Sequence, residues 1–445
     1  MRRSIFSAYP GGSSKVWPKP FGRLLVIAIS LTLAVPLSAA TAGATAQSVP
    51  VDNPSVLSDW NSLAVTTIAG DSTKKPQESF LYQAFMDVAM YNAVVGVMGR
   101  YEPYRFDGRA PRGTSATAAA AAAAHKILET YSPYAQSALD AALAASLAGL
   151  PDGAAKTRGI AFGERAAEVV IQQRVNDGRN GPTLFTKAPA PGVWRPTPPD
   201  FLSMFVPWLG GVTPQLVHSA TQFGPPAPPA LTSTRYTRDF AEVKAFGSAT
   251  STVRSAEQTA TALFFSGSAP AQFTAALADQ ASTRRLDIVD TARMFAAVGT
   301  TVSDALITVW HAKLFYGLWR PITAIQLADT DGNPATGADP SCLPLLATPP
   351  YPEYPSGYVV VAAAATRALE KLFGTHDLDL TLISTAVPGA VRQYETGSQV
   401  RSDVVDARVW LGIHFRFADT ASRDIGIRLT DWALERYFAP EDDGD

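Results

Sequence analysis

The sequence predicts an all-α protein built from one or more helical bundles. Alanine and leucine recur at helical spacing through most of the 445 residues, whereas the alternation of apolar and polar residues that is typical of strands is nearly absent. On this spacing we predict helices, in chain order, over residues 79–97, 115–131, 134–148, 155–176, 237–245, 255–265, 271–281, 284–318, 357–373, 387–398 and 420–438. The segment 284–318 is long enough to contain two consecutive helices.

The first 46 residues have the features of an export signal. Arg2 and Arg3 belong to a basic start, which is followed by a mostly apolar run at 24–37 that is too short for a comfortable membrane span. Small residues at 44–46 form a cleavage site just before Gln47. We therefore expect a secreted or extracytoplasmic protein, with a retained anchor helix as the alternative. The arginine pair leaves both the general and the twin-arginine export routes open.

Residues 47–445 are predicted to form a single large helical domain, with two fused bundles as the alternative. Beyond the signal, no stretch of uncharged apolar residues approaches a membrane span, so we expect no membrane contact after signal removal. The formal net charge of -2 argues against binding to nucleic acid. Cys342 is the only cysteine, so packing must stabilise this chain without an internal disulfide.

Two proline-rich segments interrupt the helical pattern. Residues 177–233 contain several aromatic residues without helical spacing, and a connection of this length is usually functional. It is interpreted as a wall, a lid or the contact of a homodimer. In the second segment, 329–356, the residues Asp329, Asp331 and Asn333 are spaced as in a calcium loop, but no acidic residue follows at the twelfth position. This favours an ordinary polar turn.

Lys313 and Arg320 form the first of three candidate binding segments. They are seven residues apart, about two helical turns, so both side chains project from one face of a helix that Pro321 ends or bends. Two cations next to apolar residues need an anion nearby, because burying an unpaired charge is costly. The alternative is a pair of surface side chains whose charged ends reach solvent.

Ser356 and Gly357 form the second segment, where a loop opens into a helix. The free amides of the first turn and the helix dipole favour an anion there. The serine adds a hydroxyl donor, and the glycine allows close approach of the backbone. The alternative is a serine that only caps its own helix.

Arg408 and His414 form the third segment. Gly412 interrupts the helical pattern between them, and Asp419 could cap the helix that follows. His414 would then lie near a helix entrance, where a ring nitrogen can meet a ligand. The alternative is a hydrogen-bonded histidine in an apolar core.

The order Lys-x6-Arg-Pro, then Pro-Ser-Gly, then Arg-x5-His resembles the vanadium-dependent haloperoxidase family and its relatives, the type 2 phosphatidic acid phosphatases. Longer runs such as WRPITAI at 319–325 and TPPYPEYPSG at 348–357 resemble secreted bacterial members, and the similarity extends over about residues 58–436. The resemblance implies bound vanadate, for which phosphate would compete. The implied oxyanion-binding residues are Lys313, Arg320, Ser356, Gly357 and Arg408.

The resemblance also implies a role for His414, either as the axial vanadium ligand of a peroxidase or as the nucleophile of a phosphatase. Trp310 and Tyr351 fall where halide-side aromatic residues occur in the chloroperoxidases. The expected small-molecule substrates are hydrogen peroxide and a halide.

The sequence departs from the family pattern at three positions. Tyr358 replaces the acid–base histidine of Pro-Ser-Gly-His, and its reference pKa of about 10 is too high for a base near neutral pH. Ala407 replaces a serine, and Ala418 replaces the aspartate that would orient His414. Asp419, one residue later, substitutes for it only if the backbone shifts.

Two other histidines are candidate replacements for the one lost at position 358. His311 is predicted on a helix face about 200° away from Lys313, which argues against it. His218, in the proline-rich segment, is the one candidate that could fold over the pocket.

Three functions therefore stay open. The first is an exported haloperoxidase-like oxidoreductase that acts on bromide, with activity weakened or altered by Tyr358. The second is an acid phosphatase that uses the same pocket with His414 as nucleophile. The third is an oxyanion-binding protein that has lost catalysis.

Overall fold

Thirteen α-helices and one two-stranded antiparallel sheet make up the regular structure of residues 52–441, the part of the chain that this computed structural model describes. The prediction of an all-α protein is confirmed. The helices are α1 Ser55–Gly70, α2 Ser79–Met98, α3 Ala116–Tyr131, α4 Gln136–Ala148, α5 Ala154–Gln173, α6 Thr234–Gly247, α7 Ala256–Phe264, α8 Ala269–Thr283, α9 Ile288–Tyr316, α10 Pro321–Gln326, α11 Gly357–Phe373, α12 Gly397–Trp410 and α13 Arg416–Leu434. The strands are β1 Asp377–Ile383 and β2 Val391–Thr396. The predicted export signal lies outside the described residues.

Helix α2 is buried on nearly all of its faces and packs against α1, α3, α5 and α9. Its sequence is apolar all round rather than on one stripe, which is typical of a helix inside a large core. The segment Pro76–Met98 is long and apolar enough to cross a membrane, but 94% of its most apolar window is buried inside the protein. Burial of this kind identifies α2 as a core helix of the bundle.

Helix α9 is continuous over 29 residues, so the predicted 284–318 segment is one helix rather than two. It begins where the Asp287 carboxylate accepts hydrogen bonds from the amides of Val289 and Asp290. It ends at Gly317, whose φ of 61° is the left-handed conformation that commonly terminates helices. This end places Lys313 in the last turn of α9.

The predicted helix over 387–398 is wrong, because this region contains strand β2 of a hairpin. Strand β1 alternates strictly, with Leu378, Leu380 and Leu382 buried and their neighbours more exposed. A period of two buries one face of a strand and cannot bury one face of a helix. Helix α12 then begins at a capping box made by Thr396 and Gln399.

The proline-rich segment 177–233 wraps around α9 and the loop before α11. The Asp304 carboxylate on α9 accepts hydrogen bonds from three consecutive backbone amides, Gln215 to Val217, at 2.7, 2.7 and 3.0 Å. The amide of Phe205 donates to the carbonyl of Pro350 at 2.9 Å. The segment is therefore a fixed wall of the fold.

The second proline-rich segment contains the polar turn that the sequence favoured. The Asp331 carboxylate accepts hydrogen bonds from the Asn333 amide and the Thr336 hydroxyl, both at 2.7 Å. Both of its oxygens are thus used within the turn.

Candidate oxyanion site

The three segments singled out in the sequence meet in the interior of the protein. Nζ of Lys313, at the end of α9, donates to the carbonyl of Pro352 at 2.7 Å. Nη1 of Arg320, which precedes α10, lies 2.7 Å from the Ile413 carbonyl and 3.2 Å from Nε2 of His414. Ser356 precedes α11, and its amide donates to the carbonyl of Ala418 on α13. One buried pocket therefore joins chain segments that are far apart in sequence.

Two buried arginines in this pocket keep donors without partners. Arg320 donates from Nε to the Tyr351 carbonyl at 2.8 Å, but its Nη2 has no hydrogen-bond partner among residues 52–441. Arg408, in the last turn of α12, donates from Nη1 to the Phe265 carbonyl at 3.0 Å, and its Nε is likewise unpartnered within that range. Buried donors are normally satisfied, so these atoms indicate a site for an anionic ligand.

Ser356 is the third unpartnered donor. It stands at the N-cap position of α11, yet its side chain makes no cap hydrogen bond, and its fully buried hydroxyl has no hydrogen-bond partner within the described range. By contrast, Ser255 accepts a hydrogen bond from the Gln258 amide and caps α7 in the usual way. The alternative of an ordinary serine cap is therefore wrong for Ser356. Its hydroxyl and the first amides of α11 remain available to an oxyanion.

Gly357 is required by close packing at the same helix start. A Cβ atom there would lie 3.2 Å from the Trp310 ring. Trp310 is buried in α9 and donates from its ring nitrogen to the Phe205 carbonyl at 3.3 Å. The small residue thus lets the start of α11 approach the aromatic wall.

His414 lies in the turn between α12 and α13. Gly412 makes this turn possible with a φ of 79°, and a Cβ atom there would collide with the carbonyl oxygen of Gly247. Burial lowers the pKa of His414 well below its usual value, and Arg320 and Lys313 lower it further. A lowered pKa favours the neutral imidazole, the form in which a histidine binds a metal.

Glu353 is the partner of His414, and the sequence had not identified it. Its Oε1 accepts a hydrogen bond from the Phe415 amide at 2.8 Å. Its Oε2 contacts Nδ1 of the imidazole, although neither atom makes a hydrogen bond of ordinary geometry within residues 52–441. Burial raises the pKa of Glu353 to about 7, while Arg320 and Lys313 oppose the rise. A carboxylate at Nδ1 favours the tautomer that leaves a lone pair on Nε2.

Asp419 lies elsewhere in the pocket than the sequence suggested. It is in the first turn of α13, and its displacement by one residue from position 418 turns it about 100° around that helix. Burial raises its pKa well above the usual range, Glu353 raises it further, and the nearby Ser356 hydroxyl lowers it. The two side chains come close without a hydrogen bond of ordinary geometry in the described part of the chain. Asp419 therefore neighbours the serine, and Glu353 takes the place beside His414.

A cavity of about 200 Å³ adjoins the pocket. Its walls include Phe80, Trp310, Tyr351, Tyr358 and Arg408. The rings of Trp310 and Tyr351 are 5.1 Å apart, and Tyr351 also lies 5.0 Å from Nζ of Lys313. Both predicted halide-side residues thus line an aromatic chamber next to the cations.

Tyr358 does not present its hydroxyl as a free acid–base group. The hydroxyl donates to Oε1 of Gln272 on α8 at 2.7 Å, and the Arg408 guanidinium lies 4.9 Å from the ring. Burial raises the pKa of Tyr358 above its usual value, so the phenolate that could act as a base is even rarer near neutral pH.

The other candidate histidines lie outside the pocket. A ring nitrogen of His311 is 3.3 Å from the Gly210 carbonyl. The ring of His218 packs against Trp432 at 5.2 Å, so the prediction that it folds over the pocket is wrong. Neither lines the cavity.

Comparisons with known proteins agree with this architecture. Residues 293–440 match a family profile described as the second helical-bundle domain of VCPO. The chain is 28% identical to vanadium chloroperoxidase of Curvularia inaequalis over 187 residues, which cover 32% of this chain and 30% of that protein. The chain thus aligns with less than a third of the length of this relative.

Two solved structures share the fold over most of the chain. A bacterial vanadium-dependent iodoperoxidase superposes with a TM-score of 0.76 at 23% identity, over 88% of this chain and 98% of that one. A bacterial vanadium-dependent chloroperoxidase superposes with a TM-score of 0.66 at 18% identity, over 81% of this chain and 91% of that one. At these identities the likeness establishes the fold.

Proposed function

Starting from the premise that residues 293–440 form a second helical-bundle domain of the vanadium chloroperoxidase type, we propose that this protein is a vanadate-dependent haloperoxidase-like oxidoreductase. It would oxidise a halide with hydrogen peroxide outside the cytoplasm. The observation that carries the proposal is the set of buried, unpartnered donors on Arg320, Arg408 and Ser356 within the described chain, gathered around His414.

The residues present fit vanadate. Lys313, Arg320 and Arg408 offer three basic groups for its oxygens, and guanidinium forks match such oxygens well. Burial lowers the pKa of Lys313 well below its usual value, and the charge of a bound anion would favour the protonated amine. Ser356 and the Gly357 amide would add neutral donors. Nε2 of His414, which accepts a hydrogen bond from Nη1 of Arg320 at 3.2 Å, would be the ligand atom for vanadium. Phosphate has the same shape and would compete. When bound, vanadate supplies the activation of hydrogen peroxide that halide oxidation needs.

The chain itself would contribute charge, orientation and a chamber with largely apolar walls. Lys313 and Arg320 are held rigidly by the carbonyls of the loop before α11, so they need little reorganisation to meet an oxyanion. Trp310 and Tyr351 give the adjoining cavity apolar walls that suit a large, weakly hydrated halide. We expect bromide to be the halide.

A second candidate function is an oxyanion-binding protein without catalysis. It is favoured by the hydrogen bond from Tyr358 to Gln272, which leaves no acid–base histidine at that position. An acid phosphatase would use His414 as nucleophile and would need an acid for the leaving group. Tyr358 supplies that acid poorly, because burial raises its pKa.

Three assays separate these functions. Purified protein is incubated with vanadate, dialysed and analysed for bound vanadium. It is then tested with bromide, hydrogen peroxide and a dye whose colour changes when it is brominated. Metal retention with slow bromination supports the proposal, and retention without bromination supports the binding protein. Hydrolysis of a chromogenic phosphate ester without vanadium would support the phosphatase. Failure to retain vanadium, in protein that is folded by circular dichroism, would contradict the proposal.

A further inference from the structure

We propose that Glu353 is the positioning residue of the oxyanion pocket. Its carboxylate holds the ring of His414 so that Nε2 faces the cations, in place of an aspartate at Ala418. The inference rests on the proposed function, because the geometry it assigns to His414 matters most for a metal ligand.

Glu353 contacts two of the three segments that build the pocket and precedes Ser356 of the other one in the same loop. Its backbone carbonyl accepts a hydrogen bond from Nζ of Lys313 at 3.1 Å, and its backbone amide donates to the Leu318 carbonyl at 2.9 Å. Its side chain lies 3.5 Å from Nη1 of Arg320 and contacts His414. The residue is fully buried, so these contacts are shielded from solvent.

The two donors around the carboxylate explain why an acid is needed. The Phe415 amide donates to Oε1. Nδ1 of His414 contacts Oε2, and neither of these two atoms has a hydrogen-bond partner elsewhere within residues 52–441. A carboxylate accepts at both oxygens, whereas a glutamine amide accepts at one and donates at the other. Glu353→Gln can therefore satisfy either Phe415 or His414, and in both cases the ring loses a fixed orientation.

A different role for Glu353 would be to balance the charge of Arg320. The two roles predict opposite effects on anion binding. Removing a negative charge from a cationic pocket strengthens the binding of every anion. Loss of ring orientation would weaken the binding of vanadate, because vanadate would bond to the histidine nitrogen. It would leave the binding of phosphate unchanged, because phosphate needs only charge and hydrogen bonds.

The test compares vanadate and phosphate affinities by calorimetry for the native protein, Glu353→Gln and Glu353→Asp. We expect both variants to bind vanadate about 10–100-fold more weakly while phosphate affinity is kept or increased. Glu370→Gln is the matched control: this buried carboxylate pairs with Arg401 about 20 Å along α11 from the pocket, and its loss should change neither affinity.

The same measurement in a His414→Ala background isolates the pair. In that background Glu353→Gln should no longer lower the affinity for vanadate, since no imidazole ring remains to be oriented. Equal vanadate affinity in native protein and both Glu353 variants would overturn the positioning role, as would parallel losses of vanadate and phosphate. Glu353→Asp keeps the charge and shortens the side chain. If Glu353→Gln fails to fold, the vanadate and phosphate affinities of Glu353→Asp alone test the positioning role. If the native protein binds phosphate but not vanadate, the proposed function fails instead.

Discussion

The hydroxyl of Tyr358 is 2.7 Å from Oε1 of Gln272, to which it donates a hydrogen bond. Gln272 in turn donates from its amide nitrogen to the Ile383 carbonyl at 3.0 Å, so helix α8 and the hairpin both fix the tyrosine. Tyr358, at the position where the family resemblance implies an acid–base histidine, is thus a structural link at the cavity wall. The residues that could bind an anion are therefore in place, whereas the Tyr358 hydroxyl is held by Gln272 and is not free for proton transfer.

Tyr358→His is expected to increase bromination with bound vanadate by at least about tenfold, because positioned acid–base groups contribute roughly 10²–10⁴-fold. The dye assay measures this after saturation with vanadate. Tyr358→Phe is the control, since it removes only the hydroxyl that binds Gln272. Equal rates for the histidine and phenylalanine variants would show that the missing proton shuttle does not limit the native protein.

Ser356→Ala should weaken vanadate binding by about 10–100-fold, since a hydrogen bond to a charged group is worth about 1.5–3 kcal/mol. It should not destabilise α11, because the Ser356 side chain makes no cap hydrogen bond. Ser255→Ala is the matched substitution, because it removes the N-cap hydrogen bond of α7. It should lower the free energy of unfolding by about 1 kcal/mol without changing the affinity for vanadate. Calorimetry and urea unfolding measure the two quantities. A loss of stability for Ser356→Ala equal to that of Ser255→Ala would contradict this assignment.

Phosphate should stabilise the folded protein. The pocket gathers three buried basic side chains, and an anion that binds only the folded state adds about 2.7 kcal/mol at a concentration one hundred times its Kd. A thermal melt with increasing phosphate at constant ionic strength measures this as a rise in Tm. Chloride at the same ionic strength is the control, and an equal response to both salts would point to general screening.

Asp304→Ala should loosen the proline-rich segment. The substitution leaves three buried amides, Gln215 to Val217, without their acceptor and costs about 3 kcal/mol in unfolding free energy. Limited proteolysis should then cut within 177–233, and urea unfolding gives the stability. Asp329→Asn, in an exposed turn, should change stability by less than about 0.5 kcal/mol. Resistance to protease equal to that of the native protein would contradict the anchoring role.

Much of the fold and the pocket could be predicted because the signals are local. The helical spacing of alanine and leucine predicts a bundle. The prediction that Lys313 and Arg320 project from one face of one helix is wrong, because α9 ends at Gly317 and Arg320 lies in extended backbone as the N-cap of α10. The hairpin was missed although Leu378, Leu380 and Leu382 alternate, since seven residues are a short run among long helices. Helices α1 and α12 were missed as well.

The partners of the pocket residues could not be predicted because they are distant in sequence. Glu353 is 61 residues from His414, and Gln272 is 86 residues from Tyr358. Only packing decides which acid reaches the imidazole, and the one nearby in sequence, Asp419, turns toward Ser356. A signal was nevertheless present, since an acidic residue between aromatic residues and prolines at 349–355 is unusual for an exposed loop.

The most direct test of the oxyanion pocket is a calorimetric titration of vanadate into the purified native protein and into His414→Ala. The pocket predicts saturable binding of one vanadate per chain in the native protein, displaced by phosphate, and an affinity at least about tenfold lower in the variant. Binding that does not saturate, or equal affinities for both proteins, would contradict it.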